Sequence, residues 1–113
     1  MSSEILKKLA ELSKDDKMLG SPVRLAIMML LYFKVRMKFT ELQMALGLTP
    51  GNLSSHLRKL EKANYIKIIK GFVNLRPATI IEITPLGVKK VKEFALLMKN
   101  ILSSVENLSR SQI

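Results

Sequence analysis

The stretch LGLTPGNLSSHLRKLEKANYI, residues 46–66, decides how the chain folds. Leu53, Leu57 and Leu60 recur at helical spacing, so residues 50–63 must form a helix. Its start is marked by Thr49 as N-cap and Pro50 at the first helical position. Yet the helix carries Gly51 in its first turn and Ser54 and Ser55 in its middle, residues that serve a helix interior poorly. With about 100° per residue, Leu57 and Leu60 fall within about 40° of Leu53 and make the buried edge. Opposite them lie Gly51, Ser55, Arg58 and Lys62, flanked by Asn52, Ser54 and Lys59. That face is slim at its start and cationic at its end. A helix entering a DNA major groove needs this arrangement, because little bulk lets its backbone approach base edges and phosphates. Asn and Ser supply hydrogen bonds, and Arg offers a fork for guanine or phosphate. The helix N-terminus adds partial positive charge and free N–H groups. The plainer alternative is that Thr-Pro-Gly is good helix-start chemistry and the serines are simply solvated.

Upstream, FTELQM at 39–44 predicts a short helix with Thr40 as N-cap, Gln43 completing a capping box, and Phe39 with Met44 as a hydrophobic staple. Gly47 ends it, and Leu48 with Leu53 can staple the next helix. Two helices joined by a tight turn containing Gly make a helix-turn-helix candidate. Ser21-Pro22 opens an earlier helix running to about Val35, apolar on nearly all sides and therefore expected at the centre of the core. Ahead of it Ile5, Leu9 and Leu12 form one helical stripe, broken by Asp15-Asp16-Lys17 and stopped at Gly20.

Downstream the period changes. Residues 65–70 and 79–84 are rich in Ile, Tyr and Thr and flank GFVNLRP at 71–77, which predicts a two-stranded hairpin with a loop longer than the tightest turns. Arg76 beside Pro77 suits a minor groove, where narrowness concentrates negative potential. Phe72, Val73 and Leu75 make this loop more apolar than a DNA-reading hairpin usually is, and many hairpins serve only to close a core. Thr84-Pro85 opens a last helix to about Ser104, and the polar end, 107–113, is expected to fray.

A chain of 113 residues, 48% hydrophobic and 25% charged, suits one small globular domain. Its parts are an N-terminal helix (1–19), a core (21–84), a C-terminal helix (85–106) and the tail (107–113). The absence of Cys excludes disulfides and thiolate metal sites. The N-terminus lacks a signal-peptide core, and the nine apolar residues 25–33 are too few to span a bilayer, so the expected location is cytoplasmic, with no membrane partner. With 19 basic against 9 acidic residues, net +10, the chain favours a polyanion: nucleic acid first, an acidic membrane surface second. The bland reading of that charge is solubility alone.

The order helix, helix, short helix, Gly turn, TPGNLSSHLRKLEKANYI, hairpin with Arg-Pro, then ITPLG resembles winged-helix transcriptional regulators of the MarR/ArsR-like branch found in archaea and bacteria. It covers about residues 20–90, and SPVRL at 21–25, GNLSSHL at 51–57 and ITPLG at 83–87 are its specific parts. The resemblance implies a mainly α fold with a small β-hairpin, a winged helix-turn-helix with N- and C-terminal dimerisation helices. It also implies a recognition helix in the major groove, a hairpin wing near the minor groove with Arg76 as wing arginine, and a homodimer on a pseudo-palindromic operator. Candidate DNA-binding residues are thus Lys38, Thr49, Pro50, Gly51, Asn52, Ser54, Ser55, His56, Arg58, Lys59, Lys62, Asn74 and Arg76. Two departures stand out. Asn64 replaces the Gly that usually closes the recognition helix, which Asn tolerates because it accepts the left-handed conformation. The wing has one Arg where relatives often carry several basic residues.

In the last helix Val88, Val91, Ala95, Met98, Leu102 and Val105 alternate at spacings of three and four, thickened by Phe94 and Ile101. With Ile5, Leu9 and Leu12 they form the candidate dimer interface; the alternative is a helix that caps its own domain. His56 borders the buried face and reads as a packed or phosphate-contacting histidine. One His without Cys cannot supply a transition-metal set, so neither metal nor cofactor is expected. No carboxylate pair, nucleophile elbow or phosphate loop appears, which argues against catalysis. Met18, Met28, Met29 and Met37 could line an effector pocket, but Met in helices is ordinarily core filler. Three functions fit: a sequence-preferring regulator, an architectural protein coating DNA with little preference, or a winged helix that binds protein.

Overall fold

The computed structural model describes residues 18–111 and, ahead of them, Glu4, Leu6, Lys7 and Ala10, which are helical. The stripe residues Ile5, Leu9 and Leu12 lie outside the described residues. The elements run α1 (Pro22–Lys34), β1 (Arg36–Lys38), α2 (Phe39–Leu46), α3 (Pro50–Lys62), β2 (Ile66–Val73), β3 (Arg76–Ile83) and α4 (Pro85–Ser111). The three strands form one antiparallel sheet in the order β1-β3-β2. This is a winged-helix α+β fold.

Each Ser/Thr-Pro pair starts a helix, as the sequence predicts. The Ser21 hydroxyl accepts from the Arg24 N–H at 3.4 Å, and the Thr49 hydroxyl from Asn52 at 3.2 Å. The Thr84 hydroxyl accepts from Gly87 at 3.0 Å. These bonds satisfy backbone donors that the first helical turn leaves without partners. In α1 only one face is buried, through Ile27, Met28 and Leu31, while Met29, Tyr32 and Phe33 are exposed. The expectation of burial on nearly all sides is therefore corrected. The helices and strands packed on α1 cover one side and leave an apolar one open.

The start of α2 also differs from expectation. Its N-cap is Lys38, not Thr40, and the Glu41 carboxylate reaches back to accept the Lys38 N–H at 3.0 Å. An ionised carboxylate is a stronger acceptor than the Gln43 amide, and it sits at the third helical position counted from Phe39. Met44 is exposed, so the Phe39–Met44 staple does not form, although Phe39 packs on the core. Gly47 ends α2 in the left-handed conformation at φ 62°. In α3, Leu53, Leu57 and Leu60 are all buried, and Leu48 packs against the same core. Asn64 takes the left-handed conformation at φ 64°, as its replacement of Gly requires.

The hairpin is longer and tighter than the sequence suggests. Its strands pair from Ile66↔Ile83 to Val73↔Arg76, which leaves Asn74 and Leu75 as a two-residue turn instead of a loop over 71–77. Arg76 and Pro77 consequently belong to β3. The face carrying Ile66, Ile68, Ile81 and Ile83 turns to the helices, joined by Met37 opposite Ile81 from β1. Three residues are too few for β1 to show any periodicity.

Thr84 is the joint of the molecule. Its hydroxyl donates to the Asn64 carbonyl at 2.6 Å while capping α4, and its N–H donates to the Tyr65 carbonyl at 3.0 Å. From there α4 buries Val91 and rests Val88 and Phe94 on the core. It continues as helix through Ser111, correcting the expected end near Ser104, and residues 112 and 113 of the expected tail lie outside the described residues. The molecule measures 61 × 25 × 23 Å, and a 27-residue helix accounts for roughly 40 Å of that length.

Candidate nucleic-acid interface

The three buried leucines fix the roll of α3, and its opposite side follows. Pro50, Gly51, Asn52, Arg58, Lys59 and Lys62 are exposed, while Ser54, Ser55 and His56 are half-buried. The Thr49 hydroxyl is engaged by its cap bond. Among the described residues nothing requires Gly51: an added Cβ would meet no atom within 4 Å. Open space is kept where a helix former would have gained stability. Gly51→Ala is therefore expected to raise stability by up to ~1 kcal/mol while weakening duplex binding. Thermal melts beside DNA titrations check this, and tighter binding would count against close backbone approach.

An open groove of about 540 Å³ separates α3 from the hairpin, lined by Ser54, Leu57 and Arg58 on one side and Ile68, Lys70, Thr79 and Ile81 on the other. A second, of about 900 Å³, shares Phe39, Lys70 and Thr79 with it and extends to Lys38, Thr40, Asn74 and Arg76. Among the described residues no acidic side chain lines either one. Among the described residues the ion pairs are Arg36–Glu82, Lys89–Glu93 and Lys90–Glu93. None of Lys38, Arg58, Lys59, Lys62, Lys70 or Arg76 belongs to them. Six cations without acidic partners among the described residues, arranged along a helix face and the adjoining groove, can neutralise phosphates without first breaking an ion pair there.

Thr40, Lys70 and Thr79 are absent from the candidates drawn from sequence. Lys70 was legible, since it follows Ile66 and Ile68 on alternate positions of β2 and so shares the face turned to α3. Thr79 is its register partner across the strands. Asn74 and Arg76, expected in a loop, sit at the turn and at the first position of β3.

His56 is occupied within the protein. Its Nδ1 lies 3.1 Å from Arg24 Nη1, and a guanidinium can only donate, so Nδ1 accepts and the ring proton sits on Nε2. Arg24 is held in turn by its Nε donating to the Met18 carbonyl at 3.0 Å. Desolvation, then the charges of Arg24 and Lys59, push the His56 pKa below its ordinary 6.5. The unfolded chain therefore binds this proton more readily than the folded one. The stabilisation is complete above about pH 6.5 and is lost as pH falls through the lower folded value. Thermal melts from about pH 8 to 5 should show Tm falling below that point, and His56→Gln should flatten this component.

On the expected dimer surface, Val91 belongs to the chain's own core, and Ile101 is buried apart from the main cluster. Phe94 is half-buried, while Ala95, Met98, Leu102 and Val105 are exposed, joined by Leu96. The four methionines do not gather into one pocket: Met28 and Met37 are core, Met18 is half-buried and Met29 exposed. Among the described residues no group of three or more His, Cys, Asp or Glu could hold a metal ion. No described helix is long and apolar enough to cross a membrane.

Residues 23–102 match the winged helix DNA-binding domain family. The chain is 34% identical over 90 residues to an uncharacterized protein of Methanocaldococcus jannaschii, covering 80% of this chain and 98% of that protein. Among solved structures, a transcriptional regulator homologue from Pyrococcus horikoshii OT3 is 38% identical with a TM-score of 0.82, over 88% of this chain and 97% of that one. The heme sensor protein PefR of Streptococcus agalactiae shares the fold at a TM-score of 0.71 and 19% identity, over 92% of this chain and 72% of its own. With the helix-turn-helix, the hairpin and the basic groove in place, the chain belongs to the winged helix DNA-binding domain family and shares the architecture of the Pyrococcus transcriptional regulator homologue.

Proposed function

We propose that the protein is a homodimeric, sequence-preferring regulator of transcription that lays α3 in the major groove and brings its hairpin near the minor groove. The observation that carries this reading is the two-sidedness of α3. Three leucines hold one side in the core, and the other side is slim, polar and then cationic beside a groove lined by no acid among the described residues. In this reading Asn52, Ser54, Ser55 and Arg58 face base edges or phosphates. Lys38, Lys59, Lys62, Lys70 and Arg76 neutralise phosphates, and Asn74 stands at the wing tip. Dimerisation is supported by apolar surface the chain leaves uncovered on α1 (Met29, Tyr32, Phe33) and on α4 (Leu96, Leu102, Val105). A two-fold dimer would set its half-sites about 34 Å apart or a multiple of that. The reading places the protein in the cytoplasm and requires no cofactor or catalytic step.

The net charge of +10 also suits a protein that coats DNA with little preference. Competition between genomic fragments selected for binding and random duplex at fixed salt separates the two, since a regulator should prefer its site by ~10³-fold or more. Sedimentation at the same concentrations should give a dimer. No retarded duplex at about 100 mM salt would exclude both DNA readings and leave the protein-binding one.

A further inference from the structure

The hairpin tip is built against its own stability. Asn74 and Leu75 both have positive φ, 52° and 66°, the sign pattern of a type I′ turn, where Asn-Gly is preferred. Asn tolerates the left-handed region, whereas Leu carries a steric cost that Gly would relieve. Leu75 recovers nothing from the fold, being 97% exposed. Nearby Phe72 is 73% exposed. It alternates with Ile68 and Lys70 along β2, so it shares the hairpin face that lines the groove with Arg58. Arg76 closes the turn opposite Val73. No acidic residue occurs between 62 and 81, and Glu82, at the far end of β3, is paired with Arg36 at 2.9 Å. The tip is thus two solvated hydrocarbon side chains carried between cations.

We propose that Leu75, with Phe72 behind it, is an apolar wedge that enters the minor groove of duplex DNA and presses between neighbouring base pairs, kinking the helix. This rests on the DNA-binding reading of α3. Exposed Leu and Phe fill the gap opened by partial unstacking, and the bent duplex gains contact along the protein that offsets the unstacking cost. Lys70 and Arg76 are placed to hold the phosphates on either side. The wedge favours flexible pyrimidine–purine steps, which kink most cheaply, and so adds sequence preference without hydrogen bonds to bases. Duplex DNA is the occupant that satisfies both parts of the surface. The cationic groove joins the tip to the α3 face, whereas a partner that met only the hydrocarbon would leave those cations uncompensated.

The test uses the full chain, a selected duplex carrying dyes at its two ends, and the variants Leu75→Gly, Phe72→Ser and Arg76→Ala. Leu75→Gly should melt higher than the parent, because the turn is relieved, yet bind about tenfold more weakly. The slope of affinity against salt should stay unchanged, since no phosphate contact is lost. The end-to-end distance of bound DNA should lengthen toward that of straight duplex, with Phe72→Ser shifting it the same way. Arg76→Ala should instead lower the salt slope by about one. Leu75→Gly binding and bending DNA like the parent would overturn the wedge, as would a parent complex with straight DNA. Changed self-association with unchanged bending would assign the tip to a second copy of the chain. If the parent binds no duplex at all, the reading of α3 fails first and takes the wedge with it.

Discussion

Replacing Gly87 with alanine is expected to cost roughly 3 kcal/mol of folding stability, at the upper end of what overpacking does. An exposed helical Gly→Ala exchange would normally gain about 1 kcal/mol, so even the sign is informative. The added methyl would collide with the carbonyl oxygen of Tyr65. It would also sit 2.9 Å from Ile83 Cγ1 and 3.0 Å from Met28 Cε. The Met28 thioether can swing away, but the Tyr65 carbonyl is held by the Thr84 N–H at 3.0 Å. Backbone must therefore move, and the first turn of α4 must lift from the hairpin base. For a domain this small, that loss should lower Tm by roughly 10–20 °C in a circular dichroism melt. An unchanged or higher Tm would mean that α4 and the hairpin base leave room for a methyl group between them.

Arg58→Ala is expected to cost ~1–3 kcal/mol of binding at particular base pairs while leaving the fold intact. Arg58 is exposed, joins no ion pair among the described residues and lines the groove between α3 and the hairpin. Its removal deletes a fork that can pair with guanine, so discrimination at one position should relax. Lys59→Ala and Lys62→Ala should behave differently. As point charges near phosphates they should weaken all sequences alike and reduce the salt slope by about one each. Titrations of site and random duplex over a salt series separate the two patterns. A uniform loss for Arg58→Ala would reassign it from base reading to phosphate neutralisation.

Much of the architecture was legible because it is written in local chemistry. Ser21-Pro22, Thr49-Pro50 and Thr84-Pro85 specify helix starts within a few residues, and all three caps form. The leucine stripe of α3 is a strong periodic signal, and burying it fixes what the other face presents. The features that were not legible depend on distant partners or on competing local choices. β1 exists only because β3 offers an edge for it. The α2 cap shifted to Lys38 because Glu41 outcompetes Gln43 for the backbone, a contest between two plausible acceptors. The two-residue hairpin turn is hidden in the sequence because Leu75 occupies a position where Gly would announce it. Helix α4 ran past its expected end since no Gly or Pro follows Gly87 to stop it. In the candidate site, the α3 residues followed from helical period. Lys70 and Thr79 required the strand register, and His56 could not be assigned to Arg24 from positions 32 residues apart.

One residue gears the molecule together, through its hydroxyl and its backbone N–H. Because Thr84 grips the exit of α3, steadies the foot of the hairpin and launches α4, those three pieces cannot turn independently. The distal half of α4, with Leu96, Leu102 and Val105 exposed, is then a handle, and the elements that would meet DNA are what it steers. In a pair of chains clasped by their handles, a small rotation at the clasp would sweep both reading heads along the duplex. The spacing of the heads would be set by the angle between handles, with no rearrangement needed inside either domain.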